Sequence, residues 1–222
     1  MRMDSILQLL PELNAAFLET LLMVGISLSA AFFLGLPLGI LLYVTDRGLI
    51  LENSWVRQGA GVVVNLIRSI PFIILLVFLI PFTHFLLGTT IGPVAASVAL
   101  SVAAIPFYAR IVESAARDID PGVIEAAVAT GASPWLIIRD IILPEMTPTL
   151  ITGLTITAVS LISYSAMAGT IGGGGVGDLA IRYGYYRYDN VIMFTTIILL
   201  VLLVQLIQFG GDRFAKRISK KY

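Results

Sequence analysis

Residues 125–144 read EAAVATGASPWLIIRDIILP, a polar and well-punctuated interlude in a chain otherwise built from long apolar runs. Just before it, Asp120-Pro121 is a helix start: an aspartate accepts from exposed first-turn N–H groups, and proline suits the first helical position. Gly131 is placed to end that helix in a left-handed conformation. Ser133-Pro134 repeats the start signal, and Pro144 is expected to stop the second helix. The reading is a helix–elbow–helix, with Trp135, Ile138 and Ile142 on one face of the second helix and Arg139 and Asp140 elsewhere. The segment is too polar to cross a bilayer and too firmly capped to be a slack loop. Such a pair either rests in the headgroup layer or is offered to a partner. The residues alone leave both readings open.

The rest of the chain sets the context. Its 222 residues are 58% hydrophobic and only 13% charged, against about 25% charged in soluble domains. With a mean hydropathy of +0.95 it reads as a polytopic membrane protein. Formal net charge is zero, so nothing in the balance points to nucleic acid. Cysteine is absent, which excludes disulfides and thiolate metal sites. No basic, apolar and small-residue sequence of a removable signal is read at the start, so the first span is expected to serve as its own insertion signal. A span needs roughly 20 predominantly apolar residues. Five are expected, within 15–44 and at about 62–82, 90–111, 150–170 and 191–209. Each must satisfy its backbone internally and is therefore a helix, since the short alternating strands of a barrel are missing. Pro37, Pro71, Pro93 and Pro106 are expected to kink or bound these helices. The fold class is an all-α membrane protein, a single transmembrane domain over 1–222 with a loop at about 114–149.

Lysine and arginine orient the spans. Arg47, Arg57, Arg68, Arg110, Arg117, Arg139, Arg213, Lys216, Arg217, Lys220 and Lys221 fall on one side; Arg2, Arg182 and Arg187 fall on the other. The basic side is expected to be cytoplasmic. The N-terminus is then outside, the C-terminus inside, and 125–144 cytoplasmic.

Several polar residues stand inside or beside spans. Asn65, Arg68 and Ser69 share one helical face. Either Arg68 snorkels to the cytoplasmic surface, or the three form a polar cluster at the inner mouth of a pathway. Thr157, Ser160, Tyr164 and Met167 follow helical spacing in the fourth span, with Ser163 beside them, and serve helix packing or line a pathway. Met167 is the sharper candidate, because a flexible thioether can seal an apolar constriction and tolerate a thioether solute. The run Gly169–Asp178 lacks the Gly-Lys-Ser/Thr ending that holds phosphates. It is expected to be a flexible outer turn, with a re-entrant form as the alternative, beside an aromatic belt of Tyr183, Tyr185, Tyr186 and Tyr188 that has a docking surface as its second reading. His84 stands alone near the outer end of the second span, and no metal site is expected. Glu19 is expected to reach water, and Gln205 and Gln208 to bond to neighbouring helices. Ser163 and Ser165 have no base in evident reach, which disfavours an intramembrane hydrolase.

The pattern Glu125-Ala126-Ala127, Gly131, Ile141 and Leu143-Pro144 resembles the EAA motif of ABC importer permeases at that family's spacing. The resemblance extends over most of the chain. Residues Asn65–Phe72, Ala104–Arg110, Tyr164–Met167 and Gly172–Gly175 look like stretches of the methionine-import permeases. It implies a type I importer permease fold in the bacterial inner membrane, with five spans and the N-terminus periplasmic. It also implies a first short helix that docks on an ATP-hydrolysing subunit through Glu125, Ala126, Ala127, Gly131, Leu143 and Pro144. The partners implied are a pair of ATP-binding subunits, a periplasmic or lipid-anchored substrate-binding protein, a second copy of the chain, and membrane lipid. ATP and magnesium would be used by the partner, and no cofactor by this chain. The expected function is methionine import, L- and also D-, by alternating access. Another amino acid or small polar solute is the alternative substrate, and an intramembrane enzyme the remote one.

Overall fold

Prolines decide where the long apolar stretches of this chain bend. A computed structural model describes residues 3–219, with side chains from residue 10 onward. Arg2, Lys220 and Lys221 of the charge argument lie outside the described residues. Helix α1 (Met3–Ala30) runs through a π-helical turn at Ala31–Gly35 into α2 (Leu36–Val44), with Pro37 in the first turn of α2. The second span differs from the unbroken 62–82 helix expected. Helix α3 (Ser54–Ser69) is capped by Asn53, whose side chain accepts from the Trp55 and Val56 amides. It ends at Ile70, which is extended, and α4 (Phe72–Phe78) leaves at 104°. Pro71 is the reason: the residue before a proline is pushed out of the helical region, and the proline has no N–H to donate. Helix α5 (Ile80–Leu87) follows and closes on Gly88 in a left-handed conformation.

Helices α6 (Pro93–Arg117), α7 (Pro121–Ala129), α8 (Pro134–Ile137) and α9 (Leu143–Gly169) come next, with a π-helical turn at Ile138–Ile142. Pro144 does not stop a short second helix, because the chain is continuously helical from Pro134 to Gly169. The π turn explains this. Leu143 N–H donates to the Ile138 carbonyl five residues back, which widens the ladder just before the residue that cannot donate. Helix α10 (Gly175–Leu179), a π turn at Ala180–Tyr185 and α11 (Asn190–Ser219) complete the order. Among the described residues four helical stretches are long and apolar enough to cross a bilayer, namely Leu10–Val44, Pro93–Arg117, Pro134–Gly169 and Asn190–Ser219. The bent pair Ser54–Ser69 with Phe72–Phe78 makes a fifth.

Helix α6 is the central post. Gly35 and Gly39 let the first span cross it closely: a Cβ on Gly39 would stand 2.5 Å from the Ala109 carbonyl oxygen. Small residues four apart are how membrane helices bring their backbones together. On the other side Tyr108 is fully buried, and its hydroxyl donates to the Leu150 carbonyl at 3.3 Å. Helix α11 packs on α9 where Gly211 meets Thr155. Gln205 and Gln208 are exposed on α11 rather than turned toward neighbouring helices.

The glycine run is not slack. Gly92 N–H donates to the Gly172 carbonyl at 2.9 Å, and Gly173 N–H to that of Ala168 at 3.0 Å. Glu19, expected to reach water, instead accepts from Gly175 N–H at 2.7 Å, and Thr20 Oγ1 accepts from Val176 N–H at 3.0 Å. Helix α10 then folds back between α1 and α9, so close that a Cβ on Gly177 would stand 2.3 Å from Ala166 Cα. The run is thus a packed re-entrant segment whose glycines are needed for close approach. Beside it, the Tyr183 hydroxyl donates to Glu12 at 2.8 Å, which raises the tyrosine pKa, while Tyr185, Tyr186 and Tyr188 are exposed.

Candidate coupling surface and translocation path

Helix α7 stands at the end of the molecule opposite the glycine run. Asp120 caps it, accepting from Gly122 N–H at 2.8 Å, with Pro121 in the first turn. Its other end is a left-handed glycine cap. Gly131 has φ +79°, its N–H donates to the Val128 carbonyl, and Ala132 N–H reaches back to that of Ala127. These two bonds satisfy carbonyls that the helix end leaves free. Ser133 caps the next helix, accepting from Leu136 N–H at 3.4 Å.

Burial divides the motif. Ile124 and Ala127 turn inward and join the core with Ile137 and Ile142, whereas Glu125, Ala126 and Gly131 face outward. Val123, Val128 and Leu136 are exposed around them, and Trp135 is 69% exposed. The buried stripe of the second helix is therefore Ile137, Ile142 and Met146, not Trp135, Ile138 and Ile142, because the π turn resets the helical phase. Leu143 and Pro144 are half-buried at the root of α9 and not on the projecting surface. A cleft of about 740 Å³ separates the hairpin from the loop after α2, lined by Asp46, Arg47, Arg117, Glu125 and Val128.

The hairpin hangs from a charge cluster that sequence inspection missed. Glu113, only 3% exposed, accepts from Arg57 at 2.8 Å, Arg110 at 2.6 Å and Arg117 at 3.0 Å. Arg117 also pairs with Asp46, and Arg110 donates to Asn65 at 2.6 Å. The guanidinium of Arg117 holds the Asp46 carboxyl below its usual range. These side chains join the loop after α2, α3 and the last turns of α6, three residues before the Asp120 cap. The signal available in the sequence was Arg110, Glu113 and Arg117 at i, i+3 and i+7; the partner Arg57 is 56 residues away from Glu113.

The residues expected to line a path fall in three places. Ser160, Ser163, Tyr164 and Met167 form one strip along α9 that is half-buried or exposed in the single chain, with Met167 at 47%. Thr157 leaves that strip, being buried with its hydroxyl on the Gly153 carbonyl. Asn65 lines a groove of about 470 Å³ with Arg57 and Arg110, and Ser69 bonds back to the Asn65 carbonyl at 2.7 Å. Arg68 is elsewhere, lining a cavity of about 230 Å³ with Phe72, Phe107 and Tyr164.

Residues 35–220 match the family described as the binding-protein-dependent transport system inner membrane component. The chain is 49% identical over 203 residues to the D-methionine transport system permease protein MetI of Escherichia coli (strain K12), covering 91% of this chain and 94% of the relative. It is 45% identical over 181 residues to the methionine import system permease protein MetP of Bacillus subtilis (strain 168), covering 82% of each. Its fold superposes on a chain of the MetNI methionine ABC transporter, solved in inward-facing conformations, with a TM-score of 0.93 and 47% identity over 95% of this chain and 98% of the other. An amino acid ABC transporter chain at 17% identity and a TM-score of 0.75 shares the fold. A multi-pass helical chain with this extent of match is a member of the binding-protein-dependent transport system inner membrane components, a permease of the ABC importers.

Proposed function

We propose that this permease imports methionine, in its L and also its D form, as a homodimer driven by a separate pair of ATP-hydrolysing subunits. The observation that carries the coupling role is α7. It is a capped helix at the arginine-rich end, with Glu125, Ala126 and an apolar fringe turned outward and only Ile124 and Ala127 holding it to the body. A soluble partner with a matching groove would bury that fringe and Glu125 together. The arginine-rich end is then cytoplasmic, in accord with the positive-inside rule. The re-entrant glycine segment faces the periplasm, where a substrate-binding protein delivers its load.

The strip Ser160–Met167 of α9 is half-buried or exposed in the single chain. Two copies with these strips facing one another make a lined path. ATP, with magnesium, closes the partner subunits; their differential contacts with α7 in the open and closed states drive the two permeases between inward and outward forms. Met167 narrows the path, while Asn65, Arg68 and Ser69 stand along its inner half. The test is ATP-dependent uptake of labelled methionine by vesicles holding the permease with its ATPase and binding protein, competed by L-methionine, D-methionine and other amino acids. Competition by both methionines is expected. If neither competes, the substrate assignment is wrong and the permease assignment stands.

A further inference from the structure

Arg68 stands in the last turn of α3, exposed in the single chain. The cavity it lines also takes in Ala103 and Phe107 of α6, and these two residues each lie ten residues from an end of that helix, Pro93 and Arg117. The other arginines of this half, Arg57, Arg110 and Arg117, share Glu113. Among the described residues no carboxylate pairs with Arg68. Its guanidinium is therefore a cation for which the described residues supply no counter-charge.

The cavity around it is otherwise apolar and aromatic. Phe72 and Tyr164 stack at 4.6 Å between centroids and 13° between planes, which fixes one wall. Phe107 adds a third ring. Its volume of about 230 Å³ falls just below the roughly 300 Å³ at which pockets for larger ligands begin. A single small solute fits. The bend at Ile70-Pro71 is what brings Arg68 on α3 and Phe72 on α4 to one site, as broken membrane helices commonly do around a ligand.

We infer that Arg68, Phe72, Phe107 and Tyr164 form a transient subsite in which the guanidinium takes the carboxylate of an α-amino acid and the rings take an apolar or thioether side chain. Guanidinium and carboxylate make a charge-assisted, bidentate pair, and sulfur contacts aromatic edges favourably. The ammonium group of the solute faces the ring surfaces. This inference rests on the methionine reading above and gives it a location.

The test is binding of labelled L-methionine to the intact permease–ATPase complex in nanodiscs, without binding protein, in competition with unlabelled L-methionine and with methioninol, in which an alcohol replaces the carboxylate. The wild type is expected to prefer methionine by about ten-fold or more. Arg68→Gln is expected to bind about ten-fold more weakly and to lose that preference, while Arg68→Lys retains part of both. Equal competition by methioninol in the wild type, or an undiminished preference in Arg68→Gln, overturns the inference. If Arg68 instead holds a lipid phosphate, Arg68→Gln loses retained lipid in native mass spectra with its preference unchanged, which also overturns it. If Arg68→Gln does not assemble, the wild type and Arg68→Lys still decide the outcome. A complex that takes up another amino acid and not methionine refutes the substrate reading, and the same comparison with that acid and its alcohol then decides the subsite.

Discussion

Glu113 is the residue on which most of the arginine-rich end depends. Three guanidinium groups converge on one buried carboxylate, so removing it leaves Arg110 without a carboxylate and Asp46 alone to serve Arg57 and Arg117. Glu113→Ala is expected to cost about 3–5 kcal/mol, the usual penalty for breaking a buried ion pair from one side. A lowered midpoint in thermal unfolding of the purified permease measures it. Glu113→Gln, which keeps the shape and loses the charge, is expected to be less harmful to stability and to lower uptake more than ATPase activity. Asp46 supplies a pH-dependent increment. Its carboxyl is held below the usual value by Arg117, so its contribution is complete above the unfolded value of about 3.9 and is lost as pH falls through the lower folded value. Thermal midpoints of wild type and Asp46→Asn are therefore expected to differ at pH 5–7 and to converge below about pH 3.9. A constant difference across that window contradicts the assignment.

Two elements make opposite demands on glycine. In the α7 cap, Gly131 adopts φ +79° with open space around its Cα, so the demand is conformational only. Gly131→Ala is expected to cost about 1–2 kcal/mol locally and to slow uptake while leaving the spans inserted. Amide exchange of α7 against that of α6 would register the local loss. In the crossing of the first span over α6, Gly39 has an ordinary φ, but a Cβ there meets the Ala109 oxygen and Val112 at 2.5 Å. Gly39→Leu is expected to sit at or above the upper end of the 1–3 kcal/mol typical of overpacking, because the obstacle is backbone. Loss of the monodisperse peak in size-exclusion chromatography checks it. The second span and the π turn before Pro144 show one residue type read differently by context. Pro71 breaks its helix, whereas Pro144 is absorbed by a π turn whose hydrogen bond spans five residues.

For the molecule as a whole, the apolar runs and the capped pair were legible because each is a local pattern. Asp120-Pro121, Gly131 and Ser133-Pro134 specify their caps within a few residues. What was not legible is what depends on distant contacts. Glu113 finds Arg57 across 56 residues, and Glu19 finds the Gly175 amide across 156. Neither separation leaves a trace in periodicity. The parting of Asn65 and Arg68 into two cavities was hidden for the same reason, since the packing of α3 and α4 on α6 sets both. The strip on α9 is open in the single chain, and the proposed pairing of two copies would cover it. The most direct measurement of this account is ATP-dependent methionine uptake by vesicles holding the permease with its ATPase, for the wild type and Glu125→Lys side by side. The account predicts uptake in the wild type and its loss in Glu125→Lys, with all five spans still inserted. Undiminished uptake by Glu125→Lys would contradict it, because α7 would then not be where the two subunits meet.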